Sequence, residues 1–552
     1  MHMKQLNEKT LAQLCLASSR KYGNRPALAM LSNGEICRNV TYRELEIRAR
    51  QLGLLLRQMG VAKGDRVLLL SENCPEWVIS YFGIAFAGAV SVPLLTGFSG
   101  DQIGQIAAHA QISAICLSQN AAQKIENSET AHNIFQIPRI YIDSITGESE
   151  MQEITVSLNG EKKQLRLNII NEDIYYPQCG GDELAAIIYT SGTSGNSKGV
   201  MLSGNNMLSC AQFCLKFVKL SSRDRLLSVL PLAHSYECSI GLLAPLMSGA
   251  SITYIDKPPS PSVLLSAVKV VRPTAMTSVP LLIEKIYNNA IMPKLRESKL
   301  YKFLLTRPLA IRAAGRKLIS ALGGCIRFFG IGGAPLSLEV EKFLHRAGFP
   351  YSTGYGLTEA APLVAGNTPG RFPVRCAGTA PKGVSIRIAK CETNCDASEG
   401  EIQVRGPNVM MGYYNDTERT QEAFTSDGWL RTGDLGCIDK KGRLQIRGRL
   451  KTLILGSSGE NIYPEEIEGL LGSSQLIEDA LVYSGKKGEL VALVRLTDTA
   501  KMAADAIEHK LEELRSWVNK KLSVFSRLSR IEIKDEPFEK TPTMKIKRYL
   551  YA

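Results

Sequence analysis

Residues 189–199 read YTSGTSGNSKG, a composition suited to holding phosphate. Gly192, Gly195 and Gly199 let the backbone approach an anion closely. Thr190, Ser191, Thr193, Ser194 and Ser197 add hydroxyl donors, and Lys198 adds a fixed positive charge. A triphosphate calls for that set of donors. A surface Ser/Gly turn is the plain alternative for such a stretch on its own. The Walker spacing GxxxxGK[ST] is absent and no helical pattern opens directly after Lys198, so a P-loop NTPase reading loses its main support.

The elements around this stretch must position it. Apolar runs at 184–188 and 200–202 read as strands, which makes the local expectation strand, loop, strand. Strand-like runs at 66–70, 113–117 and 250–255 alternate with helical stretches at 41–59 and 205–218, the signature of an α/β body. Residues 77–95 lack any charge and approach the length that spans a bilayer. Their small residues Gly83, Ala85, Ala87, Gly88 and Ala89 read instead as a tightly packed core helix, followed by a strand at 89–92 that stops at Pro93. Near Trp429 the pattern changes to strands with tight polar turns, and Asp439 to Gly442 reads as a hairpin turn. After Arg449 a smaller α+β unit begins, with a helix from Pro464, a long helix over most of 503–522 and a basic tail. The expected division is a body at 1–448, a hinge at 449–452 and a small mobile domain at 453–552.

A chain of 552 residues exceeds one core, and 44% hydrophobic with 22% charged residues is ordinary for a soluble globular protein. The net charge of +13 suits anionic ligands such as nucleotides, coenzyme A or acidic lipid headgroups, without choosing among them. No nucleic acid partner is expected. The 13 cysteines lack framework spacing and no signal peptide opens the chain, which fits a reducing cytoplasm. Cys376, Cys391 and Cys395 have no CxxC pair or nearby His and read as free thiols. The basic stretch 294–327 has Glu297 as its sole acid; it reads as a solvated helix face, with peripheral contact at a membrane's inner face as the alternative.

Further segments follow in a fixed order: PLAHSYE (231–237), FFGIGGAPLS (328–337), STGYGLTEAAP (352–362), WLRTGDLG (429–436), GRLKTLILGSSGENIYPEEIE (448–468) and TPTMKIKR (541–548). Together with the glycine-rich loop they closely resemble the acyl-adenylate-forming (AMP-binding) superfamily, and PLAHSYE with the 323–337 run most resembles its long-chain fatty acyl-CoA synthetases. The resemblance covers residues from about 41 to 548. It implies a large multi-subdomain α/β body carrying a small mobile α+β domain. It also implies a ligase that uses ATP and Mg²⁺ to activate a long-chain fatty acid as acyl-AMP, then passes the acyl group to coenzyme A. Transfer to an acyl carrier protein, and adenylation of an aryl or amino acid, remain alternatives; a non-catalytic acyl or nucleotide sensor is disfavoured by the complete motif set.

The resemblance also implies roles. Thr190, Ser191, Gly192, Thr193, Ser194 and Lys198 would embrace the β and γ phosphates, and Glu359 would hold Mg²⁺ with Thr358 as a phosphate or metal contact, a task for a hard oxygen ligand. Gly332, Gly333, Ala334 and Pro335 would flank adenine, with Tyr355 on its other face and Gly356 beside it. Asp434 and Arg449 would contact ribose or phosphate. Lys545 would be the catalytic lysine, placing positive charge between the substrate carboxylate and the α-phosphate; Lys547 and Arg548 lie close enough to be confused with it. His234 would sit near the acyl group, Gly459 and Glu460 would line the coenzyme A channel, and Lys451 would be the hinge. Ser194 and Ser197 replace the commoner Thr and Pro, and Gly204 stands where His is frequent. Residues 363–387 align poorly with the pattern, which leaves the acyl pocket floor open.

Overall fold

A computed structural model describes residues 9–128, 134, 136–146, 152–158, 161–167, 177–191, 197–290, 307–390, 398–455, 461–474, 476–485, 488–497, 504–542 and 545–551. Among them, two large sheets dominate. The first runs Tyr351–Thr353, Phe328–Ile331, Ala275–Ser278, Arg225–Leu227, Ser251–Ile255, Pro26–Ser32, Glu35–Thr41, and is parallel except for its last strand. The second runs Gly412–Tyr413, Ser197–Ser203, Leu184–Ser191, Val90–Leu94, Arg66–Leu70, Ile112–Leu117, Arg139–Thr146, Gln152–Leu158, Glu161–Leu167. A four-stranded antiparallel sheet, Ser385–Ala389 to Leu444–Arg449, follows them in the chain, and a three-stranded sheet built from Ile477–Ser484, Leu490–Leu496 and Arg530–Ile533 marks the C-terminal region. This is a mixed α/β fold.

Local chemistry starts the helices where they stand. Thr10 with Gln13, Thr41 with Glu44, Ser99 with Gln102 and Ser203 with Asn206 form reciprocal caps that satisfy two otherwise orphaned N–H groups each. Tyr42–Gln58 packs on Pro75–Phe86 where Gly53 meets Gly83; a Cβ on Gly53 would stand 2.8 Å from the Gly83 carbonyl. Trp77, Phe82 and Ile84 are fully buried, which accounts for the uncharged run at 77–95 as core. No helix among the described residues is long and apolar enough to cross a membrane.

Three expectations change. The strand at 89–92 does not stop at Pro93: it spans Val90–Leu94, with Pro93 in register with Leu69. On its other side it registers with the next strand at Ser91 and Ala186, so that side offers Pro93 no ladder partner to miss. The loop at 189–199 is shorter than its composition implies, because antiparallel pairing of Tyr189 with Gly199, Thr190 with Lys198 and Ser191 with Ser197 draws those residues into strands. The antiparallel sheet near Trp429 begins earlier, at Ser385. Of the basic stretch, 294–306 lie outside the described residues. The rest includes Pro308–Ala321, which buries Ile311, Gly315 and Leu318 and turns Arg312, Arg316 and Lys317 outward, while Arg327 pairs with Asp224. The described cysteines are free, and burial pushes the Cys74 and Cys116 thiols up to about 12; Cys391 and Cys395 lie outside the described residues.

Candidate active site

The hairpin Leu184–Ser191 and Ser197–Ser203 delivers Lys198 to a cleft. Its neighbour strand Gly412–Tyr413 pairs Tyr413 with Val200, which sets the Tyr413 ring beside Lys198. Lys198 Nζ donates to Glu359 Oε1 at 2.9 Å and to Tyr413 OH at 2.6 Å, and lies 4.3 Å from the Tyr413 ring centroid. The Tyr413 hydroxyl in turn donates to the same Glu359 oxygen at 2.9 Å. Burial alone would raise the Glu359 carboxyl, but Lys198 and then Tyr413 outweigh it and hold the group below the usual carboxylate range. Among the described residues, Thr190 Oγ1, opposite Lys198 in the hairpin, is a buried hydroxyl without a hydrogen-bond partner. Gly192, Thr193 and Ser194 lie outside the described residues, as does the side chain of Ser191.

Glu359 sits in a short 3₁₀ turn, Thr358–Ala360, after the strand Tyr355–Gly356. Thr358 Oγ1 lies 3.3 Å from Ser235 Oγ, joining this turn to the segment that carries His234. Among the described residues no group of three or more His, Cys, Asp or Glu could cage a metal. An ionised carboxylate with a neighbouring hydroxyl still fits Mg²⁺, which is usually held by one or two carboxylates together with substrate phosphates and water.

Asp434 forms a second centre. It is buried in the strand Leu430–Ile438, in register with Arg449; Tyr355 OH donates to its Oδ2 at 2.7 Å and Arg449 Nε stands 3.2 Å from Oδ1. Burial raises its carboxyl, against the opposing pull of Arg449, Tyr355 and Lys545. Gly332 and Gly333 end the strand Phe328–Ile331. Gly333 has φ +87°, and a Cβ on Gly332 would stand 3.3 Å from the Tyr236 ring, while Gly333, Ala334 and Pro335 are exposed. Gly356 has a packing reason of its own, since a Cβ there would lie 2.2 Å from the Pro362 carbonyl.

His234 Nδ1 accepts the Tyr236 N–H at 3.1 Å, which leaves the ring proton on Nε2. Burial, then the Lys545 ammonium, push this imidazole down to about 4. Lys545 belongs to the C-terminal segment. Its backbone closes a turn with Thr541, and the neighbouring Pro542 lies against Gly97 of the body, 3.5 Å from where a Cβ would stand. Lys545 is exposed, yet the atoms packed around its ammonium and Arg449 lower its pKa, with Asp434 and Glu359 pulling the other way. Of the three neighbouring basic residues, Lys547 pairs with Glu539 at 3.1 Å and Arg548 with Glu468 at 2.6 Å, while Lys545 lies within electrostatic reach of Asp434, Glu359 and Arg449. Lys451 is exposed in the 3₁₀ turn Leu450–Thr452. Gly459 and Glu460 lie outside the described residues.

The model of the AMP-binding enzyme family matches residues 16–414. The chain belongs to this adenylate-forming superfamily. It is 28% identical to a long-chain-fatty-acid–CoA ligase of Mycobacterium bovis, over 92% of this chain and 89% of that one. It is 28% identical to a chloroplastic long-chain-fatty-acid–[acyl-carrier-protein] ligase of Arabidopsis thaliana, over 98% and 85%, and 29% identical to 4-coumarate–CoA ligase 3 of Oryza sativa, over 98% and 91%. The o-succinylbenzoate CoA synthetase of Bacillus subtilis, solved with its acyl-adenylate intermediate, shares the fold with TM-score 0.75 at 24% identity, over 98% of each chain. The coarse activity is ATP-dependent ligation through an acyl adenylate.

The sequence reading missed Tyr413, Tyr236 and Glu237. PLAHSYE contains two of them, but their burial is not written in the motif. Tyr413 lies 215 residues from Lys198 and carries no local signal beyond the GYY triplet.

Proposed function

We propose that the protein is a long-chain fatty acid:CoA ligase that forms acyl-AMP and pyrophosphate, then acyl-CoA and AMP. The observation that carries this reading is the arrival of Lys545, from the far end of the chain, in the electrostatic neighbourhood of His234, Glu359, Asp434 and Arg449. Cations at Lys545, Arg449 and Lys198 beside the buried Asp434 carboxylate suit a nucleotide whose α-phosphate must accept a second anion.

In the first step the fatty carboxylate attacks the α-phosphate, a P–O bond to the acid forms, and the bond to pyrophosphate breaks. Lys198 and the hydroxyl of Thr190 grip the departing phosphates, Asp434 and Arg449 hold the ribose end, and Lys545 neutralises charge that builds between the two anions. Mg²⁺, held by Glu359 and the phosphates, supplies further charge neutralisation when bound. Neutral His234 borders the reacting centre and keeps its Nε2 proton available to an acyl oxygen. In the second step a thiolate attacks the acyl carbonyl and AMP leaves; no protein nucleophile takes part. Turning of residues 453–552 about 449–452, with Lys451 as pivot, would withdraw Lys545 and bring Gly459 and Glu460 to the thiol channel. Relatives named for fatty acids support the acyl class, and one named for a carrier protein favours that thiol as the second reading.

A panel of acids read by ATP-dependent pyrophosphate release tests the acyl class, with palmitate expected to outpace coumarate. The reverse order ends the fatty-acid reading. Supplying coenzyme A and holo acyl carrier protein separately, and detecting each thioester, decides the acceptor.

A further inference from the structure

We infer that Glu237 is a positioning residue for adenylation: its buried carboxylate ties the segment carrying His234, Ser235 and Tyr236 to the ends of two strands of the first sheet. The inference rests on the proposed reaction and concerns a group for which that reaction has no chemical use. Glu237 is 0% exposed. Ser228, just beyond the strand Arg225–Leu227, donates to its Oε1 at 2.6 Å, and Thr277 in Ala275–Ser278 donates to its Oε2 at 2.5 Å. Each oxygen is thereby spent on a different strand. Glu237 also opens the π-helical segment Glu237–Leu243, so the same residue joins the cleft loop, a helix start and the sheet.

The surroundings are shaped to this carboxylate. A Cβ on Gly241 would stand 2.4–2.6 Å from its carboxyl atoms, so that position tolerates no side chain without displacing the acid. The groups that face it are Ser228 and Thr277 from the strands, Tyr254 from Ser251–Ile255, and Tyr236 and Cys238 on its own segment. None is a cation, and burial pushes the carboxyl up to about 7, with the two hydroxyls opposing. A buried acid without a cation is a poor choice for stability alone, where an apolar side chain of similar volume does as well or better.

What the tie secures is three consecutive contacts with the cleft. His234 lies within electrostatic reach of Lys545. Ser235 touches Thr358, next to Glu359. The Tyr236 ring backs the turn at Gly332, and its hydroxyl would stand 2.9 Å from a Cβ on Gly330. A shift of about 1 Å in such groups costs up to about 100-fold in rate. Asn73 braces the preceding loop independently, donating to the Leu230 carbonyl at 2.6 Å and accepting the Leu232 N–H at 2.9 Å.

The test is Glu237→Met, which fills the space and removes the acceptors, beside Glu237→Gln, which keeps the shape and can pair with both hydroxyls once one of them rotates. With the acid that the wild type uses best, Glu237→Met is expected to keep its melting temperature within a few degrees at pH 8. Its kcat for pyrophosphate exchange should fall at least about tenfold, with KM for ATP changed less than about threefold. Glu237→Gln is expected to restore kcat to within about threefold, because its carboxamide still pairs with the Ser228 and Thr277 hydroxyls. Wild-type kcat per folded Glu237→Met, or a loss that Glu237→Gln does not restore, would each overturn the inference. If Glu237→Met does not fold, Thr277→Val decides, which removes one of the two ties: its kcat for pyrophosphate exchange should fall at least about threefold with KM for ATP little changed, and a kcat equal to wild type overturns the inference. A wild type inactive with every acid ends the functional reading and takes this one with it.

Discussion

His234 and Glu237 stand three residues apart and are displaced in opposite senses by burial, which makes a pH-dependent prediction with a worked sign. The imidazole titrates at about 4 in the folded chain against 6.5 for an unperturbed one, so the unfolded state binds more protons between those values. Its contribution to stability is present above 6.5 and is lost as pH falls to 4. The Glu237 carboxyl titrates at about 7 against 4.5, so between those values the folded state binds more protons. Its contribution is present below 4.5 and is lost as pH rises to 7. At about 1.4 kcal/mol per pH unit, each displacement amounts to roughly 3 kcal/mol, and the two slopes oppose one another across the range they share. His234→Gln removes one slope and Glu237→Gln the other. Relative to wild type, His234→Gln should gain about 3 kcal/mol as pH falls from 6.5 to 4.5, and Glu237→Gln should gain about as much as pH rises from 4.5 to 7. At about 2.1 cal/mol/K per residue, that is about 3 °C in the melting midpoint of a cooperative unit the size of the body, with opposite signs in the two variants. Thermal unfolding followed by intrinsic fluorescence from pH 4.5 to 8 measures it. Melting curves for both variants that run parallel to wild type at every pH would refute the assignment of these two buried groups.

Lys545→Ala should slow acyl-adenylate formation about 10²–10³-fold, the scale for removing a preorganised charge from a transition state, and leave conversion of supplied acyl-AMP to thioester near wild type; full-rate pyrophosphate exchange would remove Lys545 from the first step. Glu359→Gln keeps the shape but not the charge beside Lys198, and should raise the Mg²⁺ concentration for half-maximal rate while lowering the rate about 10²-fold. An unchanged Mg²⁺ dependence would dissociate Glu359 from the metal. Asp434→Asn strips the charge from the partner of Arg449 and Tyr355. It should weaken AMP binding by about 1.5–3 kcal/mol, roughly ten- to a hundredfold, as calorimetry would report. Affinity within twofold of wild type would place the nucleotide elsewhere.

The amino-acid sequence by itself determined what is local. The Thr and Ser caps start helices at Leu11, Tyr42, Gly100 and Gly204, the apolar alternations set the strands, and the ordered motifs carry the family assignment, because each depends on residue types within a few positions of one another. Pairing between strands already altered the local picture, shortening the glycine-rich loop and carrying Pro93 into a strand. The tertiary structure alone decided which side chains face one another. It set Lys198 against Glu359 across 161 residues and Tyr355 against Asp434 across 79, and it committed Lys547 and Arg548 to Glu539 and Glu468 while Lys545 came within electrostatic reach of Asp434 and Glu359. It also buried Glu237 between Ser228 and Thr277, which no spacing rule shows. The physical reason is that charge state and partner choice depend on burial and on neighbours brought from distant segments, and both come into being only when the sheets pack.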